Sequence, residues 1–416
     1  MPQPATLLRQ LFDAAVAAAS PAHCMPAALS RLPDRNYVVV GAGKAAAAMA
    51  YEVANRFPGK TRGMVIVPYG HAVNCGNIDV VEAAHPVPNK AGVAASRRLF
   101  NMVSDLSVDD HVICLISGGG SSLLTLPVDG LTLKDKQLLT SALLACGAPI
   151  EDINCIRKHL SAIKGGRLAA ACVPASLTTL VISDVPGDDL SVIASGPTVA
   201  DTSTAAEAME VLERYDIHAP ATIVRHLLLG QHDAKPLPSS DVHIVATAED
   251  ALRAAQQLAE SQGVETLMLG DVTGDARQLA AWHATLALKI AAGDGPVTPP
   301  CLILSGGETT VKVQGEGRGG RNSEYALQLM ISADGHPAIA ALVCDTDGID
   351  GSGDNAGCIV LPDSLQRCRD IELDVVAAQA ANDSYQLFAA LDGLVMTGPT
   401  LTNVNDFRAI VVGDQS

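Results

Sequence analysis

Two arginines set among glycines, Gly317-Arg318-Gly-Gly-Arg321-Asn322, follow an apolar run over 301–304 that ends on the turn Ser305-Gly306-Gly307-Glu308, and a helical pattern begins directly after them. Glycine lets backbone N–H groups approach an anion, a helix N-terminus adds the positive end of its dipole, and the arginine fork matches phosphate or carboxylate oxygens. A packed core has no use for that combination, so the segment predicts an anion site. Tyr37-Val-Val-Val-Gly41-Ala-Gly43-Lys44-Ala-Ala46 leaves a strand for a helix in the same way and satisfies the relaxed dinucleotide fingerprint G-x-G-x-x-A. The acid that would hold a ribose is missing after the next strand, 64–67, where Pro68-Tyr-Gly-His71 stands instead. Lys44 opposes the helix dipole unless an anion binds beside it; otherwise it is a solvent-facing lysine on a packed turn. Ser117-Gly118-Gly119-Gly120-Ser121-Ser122 offers backbone donors and three hydroxyls to phosphate oxygens, or else forms a tight turn that admits close helix packing. It lacks the G-x-S-x-G elbow of serine hydrolases.

Two acidic turns each follow an apolar run and supply the oxygen ligands that Mg2+ prefers: Ser183-Asp184-Val-Pro-Gly-Asp188-Asp189 and Asp345-Thr-Asp347-Gly-Ile-Asp350. The second is not an EF-hand, because Ile349 falls where a ligand is required and Asp350 where glycine is. Both turns could equally use their carboxylates only to cap the backbone. Arg157, Ser161 and Lys164 recur at i, i+4, i+7 and would share one face of a helix that breaks at Gly165-Gly166. That face is either phosphate-facing or simply solvated. His71, His85 and His159 are available as bases, and none is assigned.

Strand-like and helix-like segments alternate almost throughout, the signature of βαβ units on a mainly parallel sheet. Strands are expected over 37–40, 64–67, 80–83, 111–116 and 177–182, with helices over 42–56, 90–104, 132–145 and 162–171. A second set has strands over 242–245, 266–269, 301–304, 339–343 and 409–412, and helices over 249–260, 275–292, 323–331 and 384–391. The segment 7–19, interrupted by Asp13, reads as an amphipathic helix and not as a signal peptide. The polar, proline-bearing stretch 229–241 is the expected linker between a domain over 1–232 and another over 240–416, with the first helix packing on either. The turns at 117–120, 183–189 and 195–198 recur in kind at 305–308, 345–350 and 397–400, as a duplication would give, although strand ends of any α/β fold collect Gly, Pro and Asp.

A chain of 416 residues is too long for one ordinary core. With 48% hydrophobic but only 3% aromatic residues, the cores must be built from Ala, Val, Leu and Ile, the texture of α/β proteins. The net charge of −17 argues against nucleic acid or an anionic membrane as partner, so any bound anion needs a local basic cluster. Ten cysteines, no two at C-x-x-C spacing, point to a reduced cytoplasmic protein without structural zinc. No apolar run approaches membrane-spanning length.

Taken in order, Gly41-Ala-Gly43-Lys44, Ser117-Gly-Gly-Gly-Ser-Ser122, Arg157-Lys-His-Leu-Ser161, Lys164-Gly-Gly-Arg167, Ser183-Asp-Val-Pro-Gly-Asp188, Ser195-Gly-Pro-Thr198, Ser305-Gly-Gly-Glu308, Gly317-Arg-Gly-Gly-Arg-Asn322, Asp345-Thr-Asp-Gly-Ile-Asp350 and Thr397-Gly-Pro-Thr-Leu-Thr-Asn-Val-Asn-Asp406 resemble the glycerate 2-kinase family, also known by its C-terminal MOFRL domain, here about 300–412. The resemblance implies an ATP- and Mg2+-dependent kinase that converts D-glycerate to 2-phosphoglycerate. It also implies two α/β domains, the first Rossmann-like with a mainly parallel sheet, an active site in the cleft between them, and a cytoplasmic monomer or homodimer. Within the family pattern Lys44 and Arg321 are the leading catalytic positions. Phosphoryl transfer asks mainly for positioning and charge neutralisation. On that basis Gly41, Gly43, Ser117, Gly118, Gly119, Gly120, Ser121, Lys164, Gly306, Gly307 and Glu308 are assigned to the nucleotide. Asp184, Asp188 and Asp345 are assigned to metal, Asp189 to orienting the hydroxyl, and Arg318, Asn322 and Arg157 to the substrate. Members of the family are often named hydroxypyruvate reductases, which keeps an NAD(P)H-dependent reductase as one alternative. A non-catalytic sugar-phosphate-binding protein is the other.

Overall fold

Val- and Ile-rich runs of the N-terminal half form β1 (Tyr37–Ala42), β2 (Thr61–Pro68), β3 (Ile78–Ala83), β4 (His111–Ile116), β5 (Ser176–Ile182) and β6 (Ser240–Ala246), hydrogen-bonded in the order β3-β2-β1-β4-β5-β6 in a computed structural model that describes residues 3–146, 148–230, 237 and 240–413. The pairs β1–β2, β2–β3, β1–β4 and β4–β5 all run parallel. Every residue of β1 is buried, as is all of β4 after its first residue. A strand covered on both faces has no polar face to alternate with, which is why these runs read as continuous apolar segments. Successive strands build outward from β1 to one edge and from β4 to the other. The C-terminal ends of β1 and β4 therefore flank the switch point where doubly wound sheets bind ligands. Met64, Ile66, Leu99, Val103, Val112 and Cys114 are among the residues that fill the core between this sheet and its helices.

The chain divides into two units, Cys24–Val245 and Ala246–Ser416, the latter joined by Met1–His23. Leu7, Leu8, Leu11 and Phe12 form the buried face of the helix Pro4–Ala19, which packs on the helix Ala248–Ser261 and sets the Phe12 ring 5.8 Å from that of Phe407. The first helix thus belongs with the C-terminal unit. Of the expected linker, residues 231–236 and 238–239 lie outside the described residues.

The C-terminal unit contains β7 (Glu265–Asp271), β8 (Gly274–Asp275), β9 (Cys301–Gly306), β10 (Thr309–Thr310), β11 (Ile339–Asp345), β12 (Gly357–Val360), β13 (Leu394–Val395) and β14 (Asp406–Val412). Its main sheet has the order β13-β12-β11-β14-β9-β7. Only β7 and β9 pair in parallel, whereas β9–β14, β14–β11, β11–β12 and β12–β13 are antiparallel. The expectation of a mainly parallel sheet therefore holds for the first unit and fails for the second. The connection 346–356 between β11 and β12 is too short for a crossover and forces reversal of direction. The recurring order of turns in the two halves is not matched by a shared sheet topology. A second difference concerns the helix expected over 162–171, which begins only at Arg167. The preceding helix Ile150–His159 stops at Leu160, and Gly165 and Gly166 take φ of +57° and +78°, a left-handed path that glycine follows at little cost.

Candidate functional site

The turns at the ends of β1 and β4 are interlocked. Ser117 is fully buried; its N–H donates to the Ala42 carbonyl (3.2 Å) and its Oγ accepts the Ala45 N–H (2.9 Å). The Lys44 N–H donates in turn to the Gly118 carbonyl (2.8 Å). Gly43, with φ +138°, passes so close that a Cβ there would lie 2.1 Å from Ser117 Oγ. Ser117, expected to present its hydroxyl to phosphate, instead uses it to cap the helix Ala46–Arg56 from the neighbouring turn. Lys44 sits half-buried at the start of that helix.

Beyond the triple glycine, Ser121 Oγ lies 2.8 Å from Ser195 Oγ, and Ser195 donates to Asn154 Oδ1 (3.0 Å). Lys164, 2% exposed, donates Nζ to the Ser121 carbonyl (2.6 Å) and to Ser121 Oγ (3.2 Å). Ala194 and Ser195 hold this network on left-handed backbone (φ +51° and +60°), a conformation costing non-glycine residues roughly 1–3 kcal/mol and favoured by function more than by folding. Arg157, Ser161 and Lys164 do not share a helix face, because the helix ends before Ser161. Arg157 and Lys164 nonetheless line one cavity of about 280 Å3 together with Lys136 of the helix Leu133–Ala145. Burial lowers the pKa of Lys136 to about 7, with the charges of Arg157 and Arg167 adding to it. Lys164 is pushed well below the ordinary lysine value by burial, then by Lys136 and Arg157. Sequence reasoning missed Lys136, Asn154 and the structural weight of Ser195. Only Ser195 had a signal, its place before Gly196-Pro-Thr198.

In the C-terminal unit Arg321 opens the helix Arg321–Ala333 and gives each nitrogen of its fork to a different carboxylate. Nε donates to Asp406 (2.8 Å), Nη1 to Glu308 (2.9 Å) and Nη2 to Asp345 (2.7 Å). Burial works against its charge, but Asp345, Asp406 and Glu308 outweigh it and raise the pKa, so the guanidinium stays protonated. Asp350 closes the same helix N-terminus by accepting the Asn322 and Ser323 N–H groups (2.9 and 2.8 Å). Gly306 ends β9 and Gly307 follows it beside Arg408, which donates to both of their carbonyls and to Asp406 Oδ2. Asp406 was not singled out from the sequence, yet it joins Arg321, Arg408 and Asn322. Asn322, expected at the substrate, is fully buried with its amide donated to Asp406 (2.8 Å). Arg318 does not join this cluster: its guanidinium stacks on Tyr385 (3.8 Å) and donates to Asp354 (3.0 Å) near the surface.

The acidic residues expected at metal are dispersed. Asp184 and Asp188 follow β5, while Asp345 ends β11 and is tied to Arg321. Asp189 is exposed and accepts the Ser191 N–H (2.8 Å). Among the described residues no group of three or more His, Cys, Asp or Glu forms a metal-holding cluster, and no helix is long and apolar enough to cross a membrane.

Residues 7–228 match the family described as a domain of unknown function, DUF4147, and residues 301–406 match the MOFRL family. The chain is 37% identical to a D-glycerate 2-kinase of Thermotoga maritima over 95% of both chains. It is 49% identical to an Agrobacterium vitis protein provisionally named a hydroxypyruvate reductase, over 98% of this chain and 94% of that one. The crystal structure of a Thermotoga maritima glycerate kinase superposes with a TM-score of 0.89 and 36% identity, covering 98% of this chain and 99% of the other. The chain belongs to the MOFRL-domain family of glycerate kinases.

Proposed function

We propose that this protein transfers the terminal phosphoryl group of ATP to the 2-hydroxyl of D-glycerate, giving 2-phosphoglycerate and ADP. The observation that carries the reading is the switch point of the first sheet, where two interlocked glycine turns hold Lys44 and no ribose-binding acid follows β2. It stands in a chain similar along nearly its whole length to a D-glycerate 2-kinase. Lys44 serves the transferring phosphoryl, with Gly118, Gly119 and Gly120 bringing backbone close to its oxygens. Arg321 supplies a second positive charge, and its three carboxylate partners fix its orientation before reaction, so no reorganisation is needed as charge develops. Asn322 acts through Asp406 as a positioning residue. Mg2+ needs only one or two carboxylates when nucleotide phosphates complete its octahedron, and Asp184, Asp188 and Asp345 are the carboxylates assigned to it. Bound there, the ion would neutralise phosphate charge. Asp189, exposed after β5, is assigned to orienting the glycerate hydroxyl. The ten free thiols fit a reducing compartment such as the cytoplasm.

The test is incubation of purified protein with ATP, Mg2+ and D-glycerate, with the product identified as 2- or 3-phosphoglycerate by phosphorus NMR. Lys44→Ala and Arg321→Ala should each lower turnover by about 10²-fold or more. Near-normal turnover in either variant would remove that residue from the mechanism. Oxidation of NADH or NADPH in the presence of hydroxypyruvate, followed by absorbance, would instead favour the reductase name carried by the Agrobacterium relative.

A further inference from the structure

We propose that the cavity bounded by Lys136, Arg157, Lys164, Ser121 and Thr140 in the N-terminal unit is the pocket for the carboxylate end of a small hydroxy acid, with Lys136 as its specificity-determining cation. The assignment rests on the kinase reading above and adds the substrate subsite to it. Three cations and no Asp or Glu line this space, in a chain with 45 acidic and 28 basic residues. Lys136 is only 8% exposed, and its Nζ has neither a hydrogen-bond partner nor an ion pair among the described residues. Lys164 beside it differs, because it donates to the Ser121 carbonyl and hydroxyl. A buried ammonium without an acceptor is strongly unfavourable, and protein interiors avoid leaving one unless something else satisfies it. A bound carboxylate supplies that acceptor.

The cavity, about 280 Å3, has room for the roughly seven heavy atoms of a three-carbon hydroxy acid. The lining matches such an acid. Lys136 and Arg157 face the carboxylate, the Ser121 and Thr140 hydroxyls meet substrate hydroxyls, and Pro86, Val87 and Pro88 give an apolar wall for the carbon chain. The pocket adjoins the triple-glycine turn whose Gly118 carbonyl takes the Lys44 N–H, so an acid held here lies next to the turn assigned to the phosphoryl group. Both low lysine pKa values fit an empty anion site, since burial and neighbouring cations disfavour their protons until a counter-charge enters.

The experiment is steady-state kinetics of the full chain, varying D-glycerate and ATP separately, for wild type, Lys136→Met and Lys136→Arg. Losing one charge-assisted hydrogen bond should raise the KM for glycerate roughly ten- to a hundredfold, with the effect on KM rather than kcat, the ATP KM within about twofold, and partial recovery in Lys136→Arg. Thr140→Leu narrows the same cavity without changing charge and should raise the glycerate KM even if Lys136→Met does not fold. An unchanged glycerate KM in the folded variants overturns the pocket. So does a raised ATP KM, which would make the ligand the nucleotide's phosphate. Should the wild type phosphorylate no glycerate at all, the kinase reading fails on its own, and calorimetry with D-glycerate and with inorganic phosphate still decides the pocket. Binding weakened by Lys136→Met supports it, and equal binding by both proteins overturns it.

Discussion

Replacing Lys136 with methionine should stabilise the ligand-free protein while removing a ligand-binding charge, two effects of opposite sign from one substitution. Burial takes the lysine from its ordinary value of about 10.5 to about 7. A difference of that size is worth up to about 5 kcal/mol at 1.36 kcal/mol per unit, and access of water to the cavity brings the expected range to about 2–5 kcal/mol. The sign follows from proton counts. Between about pH 7 and 10.5 the unfolded chain holds a proton on Lys136 that the folded protein has released, so stability rises with pH across this window. Below pH 7 both states are protonated and the penalty is complete. Methionine keeps the length and volume of the stem and has no charge to bury. The variant should therefore melt several degrees above wild type at or below about pH 7, and the gap should close as pH approaches 10. Melting curves of both proteins at a series of pH values between about 6 and 10 provide the measurement. D-glycerate should raise the melting temperature of wild type more than that of the variant. A variant less stable than wild type at pH 7, or a gap that does not shrink with pH, would show that Lys136 has an internal partner and that the cavity needs no ligand to satisfy it.

Gly43→Ala should abolish turnover, because its Cβ would lie 2.1 Å from Ser117 Oγ on backbone at φ +138°; full activity would separate the interlocked turns from the reaction. Asp406→Asn should destabilise the protein by about 3–5 kcal/mol, since it leaves the fully buried Arg408 without its counter-charge. Burial alone would raise the pKa of Asp406, but Arg321 and Arg408 prevail and hold it below the ordinary value. Its contribution to stability is therefore present above the unfolded carboxylate pKa of about 3.9 and is lost as pH falls through the depressed folded value. Urea midpoints below about pH 4 should fall more steeply in wild type than in Asp406→Asn, and parallel acid limbs would contradict the assignment.

What could be read without coordinates follows a physical division. The strand over 111–116 and the helix over 90–104 coincide with β4 and Lys90–Ser104, because a strand buried on both faces and a capped amphipathic helix carry their signals in their own residues. The direction of a strand depends on its partner, so the antiparallel set around β14 left no mark on its apolar runs. Arg157 and Lys164 were paired for a reason that proved wrong: the helix that would have aligned them ends at His159, and a left-handed glycine turn brings Lys164 to the same cavity by another route. Asp406, within Asn-Val-Asn-Asp406, was given no role of its own, because two of its three partners, Arg321 and Asn322, come from a segment more than eighty residues away.

Lys136 shows the same limit from the other side. In Leu-Lys-Asp-Lys136 it resembles any lysine on a solvated helix face, and only the elements packed over that face make it a buried cation beside two others. An overall charge of −17 hides this local reversal completely. The chemistry-bearing residue types were legible because Lys44, Arg318 and Arg321 stand among glycines in their own short runs of sequence, whereas the energetic anomaly was not, because cost depends on what surrounds a charge. A buried cluster of like charges is where folding alone is least able to explain the residues present, and it is therefore where a ligand of opposite charge has the most to contribute.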